Sequence, residues 1–370
     1  MCDVHICEVI KTLDVGGAEV LLVERLLAAV QIPDRQGIRY TVVCLSTSTE
    51  ELTERLRSAG IEVVNLSSCP RPLRLARLLG EVRRLRPDVI NLHSPLPAAL
   101  LRPASRLWRP RPVLISTVHT VQYRLVTTAL DRATAWLDTR TVAVSPQVAR
   151  ARTSRHGRGL VTCVHGVRVA DQRRHAERAA SIRREWSVPD DAFLIVHVAN
   201  FRPMKNHRLL VDAAAKVLAS EPRAMFLLAG SGPLRDATAS HVAELGLERV
   251  RLVGHVSDAG RLIAAADLLA LSSTYEGLPV VVMEALAAGV PVVSTDVGGV
   301  PDLVETGRNG MLTLPGSADS LAEGILRAMQ PETLARLRAG ARDSAGRLDI
   351  AVAAEWFNTL YGEVCAGNIR

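Results

Sequence analysis

Short apolar runs alternate with longer amphipathic stretches along this chain, and the series occurs twice. VHICEVI, RYTVVCLS, IEVVNL, PDVINLHS, PVLISTVH and TRTVAVS read as strands in the first half. FLIVHVANF, AMFLLAG, VRLVGH, DLLALSS, VPVVSTD and GMLTL read as strands in the second. Helical patterns such as AEVLLVERLLAAV and NHRLLVDAAAKVLAS fill the gaps. Strands that are apolar throughout and separated by helices belong in parallel sheets covered on both faces. The alternation therefore predicts an α/β chain of two Rossmann-like, doubly wound domains. At 370 residues the chain is long enough for both. The charged stretch DQRRHAERAASIRREWSVPDD predicts the boundary, giving domains 1–172 and 173–350. In AVAAEWFNTLYGEV the apolar residues Ala353, Phe357, Leu360, Tyr361 and Val364 have helical spacing, so a helix over 351–366 could pack back on the first domain. Two doubly wound domains facing one another would leave a cleft at the carboxyl ends of their strands, where such sheets bind ligands.

Composition narrows the classes. A hydrophobic content of 48% supports packed cores rather than disorder. Residues 1–175 hold 26 Lys and Arg against 15 Asp and Glu, a net +11, whereas the remainder holds 19 against 23, a net −4. A basic first half suits peripheral contact with an anionic surface, although a solvated arginine-rich surface explains it as well. The basic amphipathic stretch RPLRLARLLGEVRRLR, with Leu75, Leu78, Leu79, Val82 and Leu85 on one face, fits a sheet-covering helix better than a membrane-surface one. The six cysteines form no CxxC pair and read as reduced thiols. MCDVHICEVIK lacks the basic-then-apolar order of a signal peptide, and no uncharged apolar run reaches the roughly 18 residues of a membrane span. A cytoplasmic protein is expected. With 3% aromatics and no recognised reader motif, nucleic-acid binding is not.

The chemistry-bearing residues fall at strand-to-helix junctions. In TLDVGGAEVLL, Gly16 and Gly17 precede a helix expected to start near Glu19; paired glycines there make either an anion-binding backbone or a plain tight turn. In HVANFRPMKNHRLL, Arg202 and Lys205 stand between a strand and a helix. Lysine occurs only at positions 11, 205 and 216, so this placement is informative. A guanidinium and an ammonium at this point could neutralise a diphosphate leaving group. AGSGPL brings Gly230 and Gly232 to the end of another strand. His93 and His119 end two first-half strands and are expected to point into the cleft.

YEGLPVVVME carries two acids eight positions apart. At about 100° per residue, one continuous helix would not align them. Gly277 and Pro279 also argue for a loop carrying Glu276 and a helix, starting near Leu278, carrying Glu284. That helix start would offer free N–H groups to a phosphate, with Glu276 and Glu284 bonding sugar hydroxyls on either side. The apolar surroundings of Glu284 suggest a buried carboxylate in need of partners. No D-x-D, P-loop, HExxH or GxSxG is present.

In order along the chain, GGAE at 16–19, TVHT around His119, AVSPQV near Ser145, RPMKNH, GSGP and STYEGLPVVVMEALAAGVPVVSTDVGGVPDLV resemble the motifs of family 4 glycosyltransferases, retaining enzymes of the GT-B fold. The last stretch is similar to that family's E-x7-E motif. The resemblance implies that Glu276 contacts the transferred sugar and Glu284 the nucleotide ribose. Arg202 and Lys205 would hold the diphosphate, with the Gly16–Gly17 loop closing on it. Asn200, Gly230, Gly232, Gly277, Leu278, Pro279 and Val280 would complete the donor-binding set. His119 matches the family's active-site histidine, and His93 and Glu19 are acceptor-side candidates. Two positions depart from the usual pattern. Asn200 stands where many members carry the loop arginine, making an N-x-R-x-x-K variant with Arg202. His165 begins an H-G-V where N-G-V is frequent. The implied activity is retaining transfer of a sugar from a nucleotide diphosphate sugar, UDP-sugar favoured, without a cofactor or an obligatory metal. The acceptor would be a hydroxyl of a natural-product core or of an envelope lipid or polysaccharide. The alternatives are a sugar-nucleotide epimerase or phosphorylase on the same fold, and a non-catalytic sugar-nucleotide-binding auxiliary protein.

Overall fold

The computed structural model describes residues 4–367 apart from 15, 33–36, 121–124, 152 and 155. The chain forms two compact units, Met1–Gly166 with Ile350–Arg370, and Val167–Asp349. The crossing at Gly166 comes just ahead of the charged stretch.

The strands of the first unit are β1 (Val4–Thr12), β2 (Ile38–Ser46), β3 (Glu62–Asn65), β4 (Val89–Leu92), β5 (Val113–Val118), β6 (Arg140–Ala143) and β7 (Leu160–Thr162). They pair in the order β3-β2-β1-β4-β5-β6-β7, all parallel. Six match the apolar runs. The seventh, three residues at the sheet edge, is too short for a periodic signal.

Side chains alternate between sheet faces along a strand, and that parity organises the unit. Ile6, Ile10, Val42, Val89 and Ile115 face one way, into a core shared with helices Gly17–Ala29 and Ile350–Gly367. Cys7, Val9, Val43, Ile90, Leu92 and Leu114 face the other, against helices Arg74–Leu85 and Pro95–Ser105. Leu78 and Val82 of the basic amphipathic helix lie in that second core, so it covers the sheet. The last helix contributes Ala353, Ala354, Phe357, Leu360 and Tyr361 to the first core.

The second unit contains β8 (Phe193–Val198), β9 (Ala224–Ala229), β10 (Val250–Gly254), β11 (Leu268–Leu271), β12 (Val292–Thr295) and β13 (Gly310–Thr313), in the order β10-β9-β8-β11-β12-β13 and again parallel. In each sheet the winding reverses once, between β1 and β4 and between β8 and β11. Loops at such reversals diverge and leave a crevice at the carboxyl ends of the strands. Among the described residues, no helix is long and apolar enough to cross a membrane.

Candidate active site

The reversal in the second unit brings the basic loop and the first acid together. β8 ends at Val198, and Pro203–Lys205 form a single 3-10 turn before helix His207–Ser220. The loop after β11 lies alongside. Ser272 Oγ donates to the Lys205 carbonyl at 2.9 Å, and Thr274 N–H to the Met204 carbonyl at 2.8 Å. These bonds fix the Lys205 backbone, and its Nζ reaches Glu276 Oε1 at 2.6 Å. Ser273 Oγ donates to the same oxygen at 2.6 Å. Glu276 is therefore no exposed loop acid: it is 6% exposed, with its second oxygen, Oε2, without a protein partner among the described residues.

Two glycine contacts set the loop heights. Gly298, with φ +60°, packs so closely on the Glu276 backbone that a Cβ would lie 1.8 Å from its carbonyl oxygen. Gly299 N–H then donates to the Gly277 carbonyl at 2.9 Å. Gly230, with φ +145°, stands against the Ala199 carbonyl, where a Cβ would come within 2.0 Å, and Gly232 against the backbone of Phe201. Any larger residue at Gly298 or Gly230 would push apart the loops that hold Glu276 and Asn200.

Two details differ from the sequence reading. The helix after the first acid runs Val280–Ala287 with Pro279 at its N-cap, so Leu278 lies outside it. Proline's fixed φ ends the loop two residues later than expected. Glu284 is partly exposed rather than buried, on the face away from Val282, Met283, Ala285 and Leu286. Arg202 and Asn200 are exposed, and among the described residues Lys205 is the one of the two loop cations held in place by an ion pair.

In the first unit the paired glycines open helix Gly17–Ala29, which begins two residues before Glu19. Glu19 folds back across Gly16 and accepts a hydrogen bond from Thr12 Oγ1 at 2.8 Å. Burial pushes its carboxyl above the ordinary range.

His93 and His119 follow the adjacent strands β4 and β5. His93 is buried and bonded on both nitrogens. Its Nε2 lies 2.7 Å from Glu8 Oε2, and its Nδ1 2.9 Å from His119 Nε2. Parity explains the meeting. Glu8, Asn91, His93, Thr117 and His119 share the face of Ile6, Val89 and Ile115, directed at the last helix. Glu8 Oε1 accepts from Arg25 Nη2 at 2.7 Å and from Tyr361 Oη at 2.8 Å. Asn91 Nδ2 donates to Tyr361 Oη at 2.9 Å and Thr117 Oγ1 to Asn91 Oδ1 at 2.9 Å. His165 closes the group, its ring edge against His119 and Phe357. Glu8, Arg25, Asn91 and Tyr361 did not emerge from motif reading, yet one signal was present: a lone acid inside an apolar strand must find a partner.

The rings here are neutral. Burial lowers the pKa of His93, His119 and, to about 3, His165, with Arg25 acting in the same direction on each. In the second unit burial holds His197 at about 3 and His207 at about 4. A base whose folded pKa is depressed stabilises the fold fully above its unfolded value of about 6.5, and that stability is lost as pH falls below it. A ring held near 3 or 4, as His165, His197 and His207 are, costs about 1.4 kcal/mol at one pH unit below 6.5, and His93 and His119 act in the same direction. Urea midpoints should therefore drop between pH 7.5 and 5.5, less the opposing gain from Asp138, whose carboxyl burial pushes up to about 6. A flat profile would mean that these rings are charged in the folded protein.

Both crevices thus hold groups suited to an anionic, hydroxyl-rich ligand. The fold, two doubly wound parallel sheets with these groups at their reversals, is of the GT-B class. A family model described as Glycosyltransferase Family 4 matches residues 15–167, and one described as Glycosyl transferases group 1 matches residues 179–344. The chain belongs to this glycosyltransferase family. Similar relatives include N-acetyl-alpha-D-glucosaminyl L-malate synthase of Bacillus anthracis, 32% identical over 45% of this chain and 44% of that protein. Alpha-D-kanosaminyltransferase of Streptomyces kanamyceticus is 27% identical over 50% of each chain. The matched region thus spans about half the length of these two curated relatives. Anabaena HepE, solved with UDP and glucose, superposes with a TM-score of 0.84 at 22% identity, covering 97% of this chain and 100% of that one. At that identity the likeness shows the fold alone.

Proposed function

We propose that the protein transfers a sugar from a nucleoside diphosphate sugar, UDP-sugar favoured, to an acceptor hydroxyl with retention at the anomeric carbon. The observation that carries this reading is the Lys205–Glu276 pair at the reversal of the second sheet. It sets a cation for a departing diphosphate beside a carboxylate whose Oε2 can accept from a sugar hydroxyl. Arg202 and the start of helix Val280–Ala287 would share the phosphate charge, with no metal required, and Glu284 would bond the ribose. Asn200, Gly230, Gly232, Gly277, Leu278 and Pro279 would shape the donor pocket, and the Gly16–Gly17 loop would close on the phosphates.

In the proposed step the bond from the anomeric carbon to the phosphate oxygen breaks, and its electron pair leaves with the diphosphate. The acceptor oxygen bonds to the same face of that carbon. Its proton passes to the departing phosphate oxygen, so no protein nucleophile is needed. The first unit would bind the acceptor near His119, with Glu19 on the acceptor side. The similar relatives range from an N-acetyl-alpha-D-glucosaminyl L-malate synthase to an alpha-D-kanosaminyltransferase. That range favours a hydroxyl on a small natural-product core or on an envelope lipid or polysaccharide.

A thermal-shift panel of UDP, GDP and dTDP sugars tests the donor. A ligand present at 100 times its Kd should stabilise the protein by about 2.7 kcal/mol. A UDP-sugar should raise the melting temperature, and product should then form only when an acceptor hydroxyl is added. Product from donor alone would instead assign an epimerase. No shift with any nucleotide would overturn the reading.

A further inference from the structure

We propose that Glu8 is a positioning residue which, acting through His93, fixes the tautomer of His119 so that this ring meets substrate with a bare Nδ1, a hydrogen-bond acceptor. The inference rests on the reading of His119 as a substrate-contacting residue.

Every proton in the chain of contacts has one consistent place. Arg25 holds the buried Glu8 carboxyl ionised, with its pKa lowered to about 2. A carboxylate cannot donate. Both Arg25 Nη2 and Tyr361 Oη therefore donate to Oε1. The direction of the tyrosine proton is set independently, because Tyr361 Oη already accepts from Asn91 Nδ2. Oε2 is left for His93 Nε2, which must carry a hydrogen. His93 is fully inside the fold beside Arg25, and both push its pKa below the ordinary value, so it holds one proton and its Nδ1 is bare. That bare nitrogen lies 2.9 Å from His119 Nε2, which must therefore be the N–H. His119 is neutral as well, and its remaining nitrogen, Nδ1, carries only a lone pair. This nitrogen is buried and, among the described residues, has no hydrogen-bond partner.

The consequence is directional. A substrate hydroxyl that reaches this buried nitrogen must spend its proton on it, which leaves the hydroxyl oxygen free to accept elsewhere and sets the rotation of its C–O bond. Because burial holds the ring's pKa well below 6.5, Nδ1 is a weak base near neutrality, suited to orienting the hydroxyl rather than deprotonating it.

Glu8→Gln inverts the relay in the full-length protein. Arg25 and Tyr361 both donate and so demand the amide oxygen, which turns the amide NH2 toward His93 Nε2. His93 then carries its proton on Nδ1 and donates to His119 Nε2, and the His119 proton moves to Nδ1. Nitrogen NMR of histidine-labelled protein reads both states directly, with His119→Asn assigning the resonance. The expected result is an unprotonated Nδ1 on His119 in the wild type and a protonated Nδ1 in Glu8→Gln. A loss in kcat/KM of about tenfold should accompany the change, on the scale of one misdirected hydrogen bond. If Glu8→Gln fails to fold, the wild-type spectrum still decides, because a protonated Nδ1 there overturns the proposal. An unchanged tautomer in Glu8→Gln also overturns it and leaves the site reading intact. An inverted tautomer with unchanged kcat/KM overturns it differently, by removing His119 from the substrate site.

Discussion

Lys205→Ala should lower turnover by about three orders of magnitude while the protein stays folded. Loss of one preorganised donor facing developing charge typically costs about 10²–10³ in kcat, and Lys205 offers a full charge. Its ammonium is held at 2.6 Å from Glu276, and its backbone is pinned by Ser272. The arginine three residues earlier is exposed and unpinned, so it is a poor substitute. The stability cost should be small. The Lys205 side chain is 23% exposed, and a pair open to solvent on one side is worth about 1 kcal/mol or less. Glu276→Ala should show the same pattern, with a larger rise in donor KM if its free oxygen binds the sugar. Lys205→Arg should not rescue, because a planar fork on a longer stem cannot place its charge where a point ammonium sits. Steady-state kinetics with a nucleotide sugar, alongside a melting curve, checks both halves. Near-wild-type kcat in Lys205→Ala would remove the residue from the chemistry.

The contrast between Lys205 and Glu8 shows what the sequence exposes and what it conceals. Lys205 and Glu276 stand in loops that follow apolar strands, and a parallel sheet sends consecutive loops of this kind to one edge. Their closeness could be argued from order alone. The fold was legible for the same reason, except for β7, whose three residues carry no period. Glu8 and Arg25 sit inside apolar runs, where periodicity hides them: each reads as one exception in a strand or helix pattern. Their meeting depends on strand parity and on a last helix more than 300 residues away in sequence. Gly298 is concealed in another way, since its need for a missing Cβ arises from the neighbouring loop of β11 and not from its own turn. Glu284 shows the limit of composition as a guide to burial. Its neighbours are apolar because the helix packs on one side, while its own side chain lies on the other.

Arg25→Met should be the most destabilising single change in the first unit. The guanidinium and the Glu8 carboxylate are both fully buried and 2.7 Å apart, and Arg25 also stacks on the Phe357 ring at 4.1 Å. Methionine keeps much of the volume and some of the contact with the ring but leaves Glu8 as an uncompensated charge. Removing one partner of a buried pair costs about 3–5 kcal/mol, a large share of the roughly 5–15 kcal/mol that holds a domain folded. For a unit of this size that corresponds to a fall in Tm on the order of 10 °C. The cost comes from the stranded charge rather than from lost attraction, so the double variant Arg25→Met/Glu8→Gln should recover about half of it. Acid should do the same to the single variant. In the wild type, Glu8 has a depressed folded pKa, so it stabilises above the unfolded value near 4.5 and loses that contribution as pH falls toward 2. Without Arg25 the sign reverses: protonating Glu8 relieves the fold, and the stability gap between variant and wild type should narrow below pH 5. Denaturant melts of the four proteins in the cycle measure this. Additive costs at pH 7, with no recovery in the double variant, would show that Arg25 acts by packing on Phe357 and not by holding the charge that orients His93.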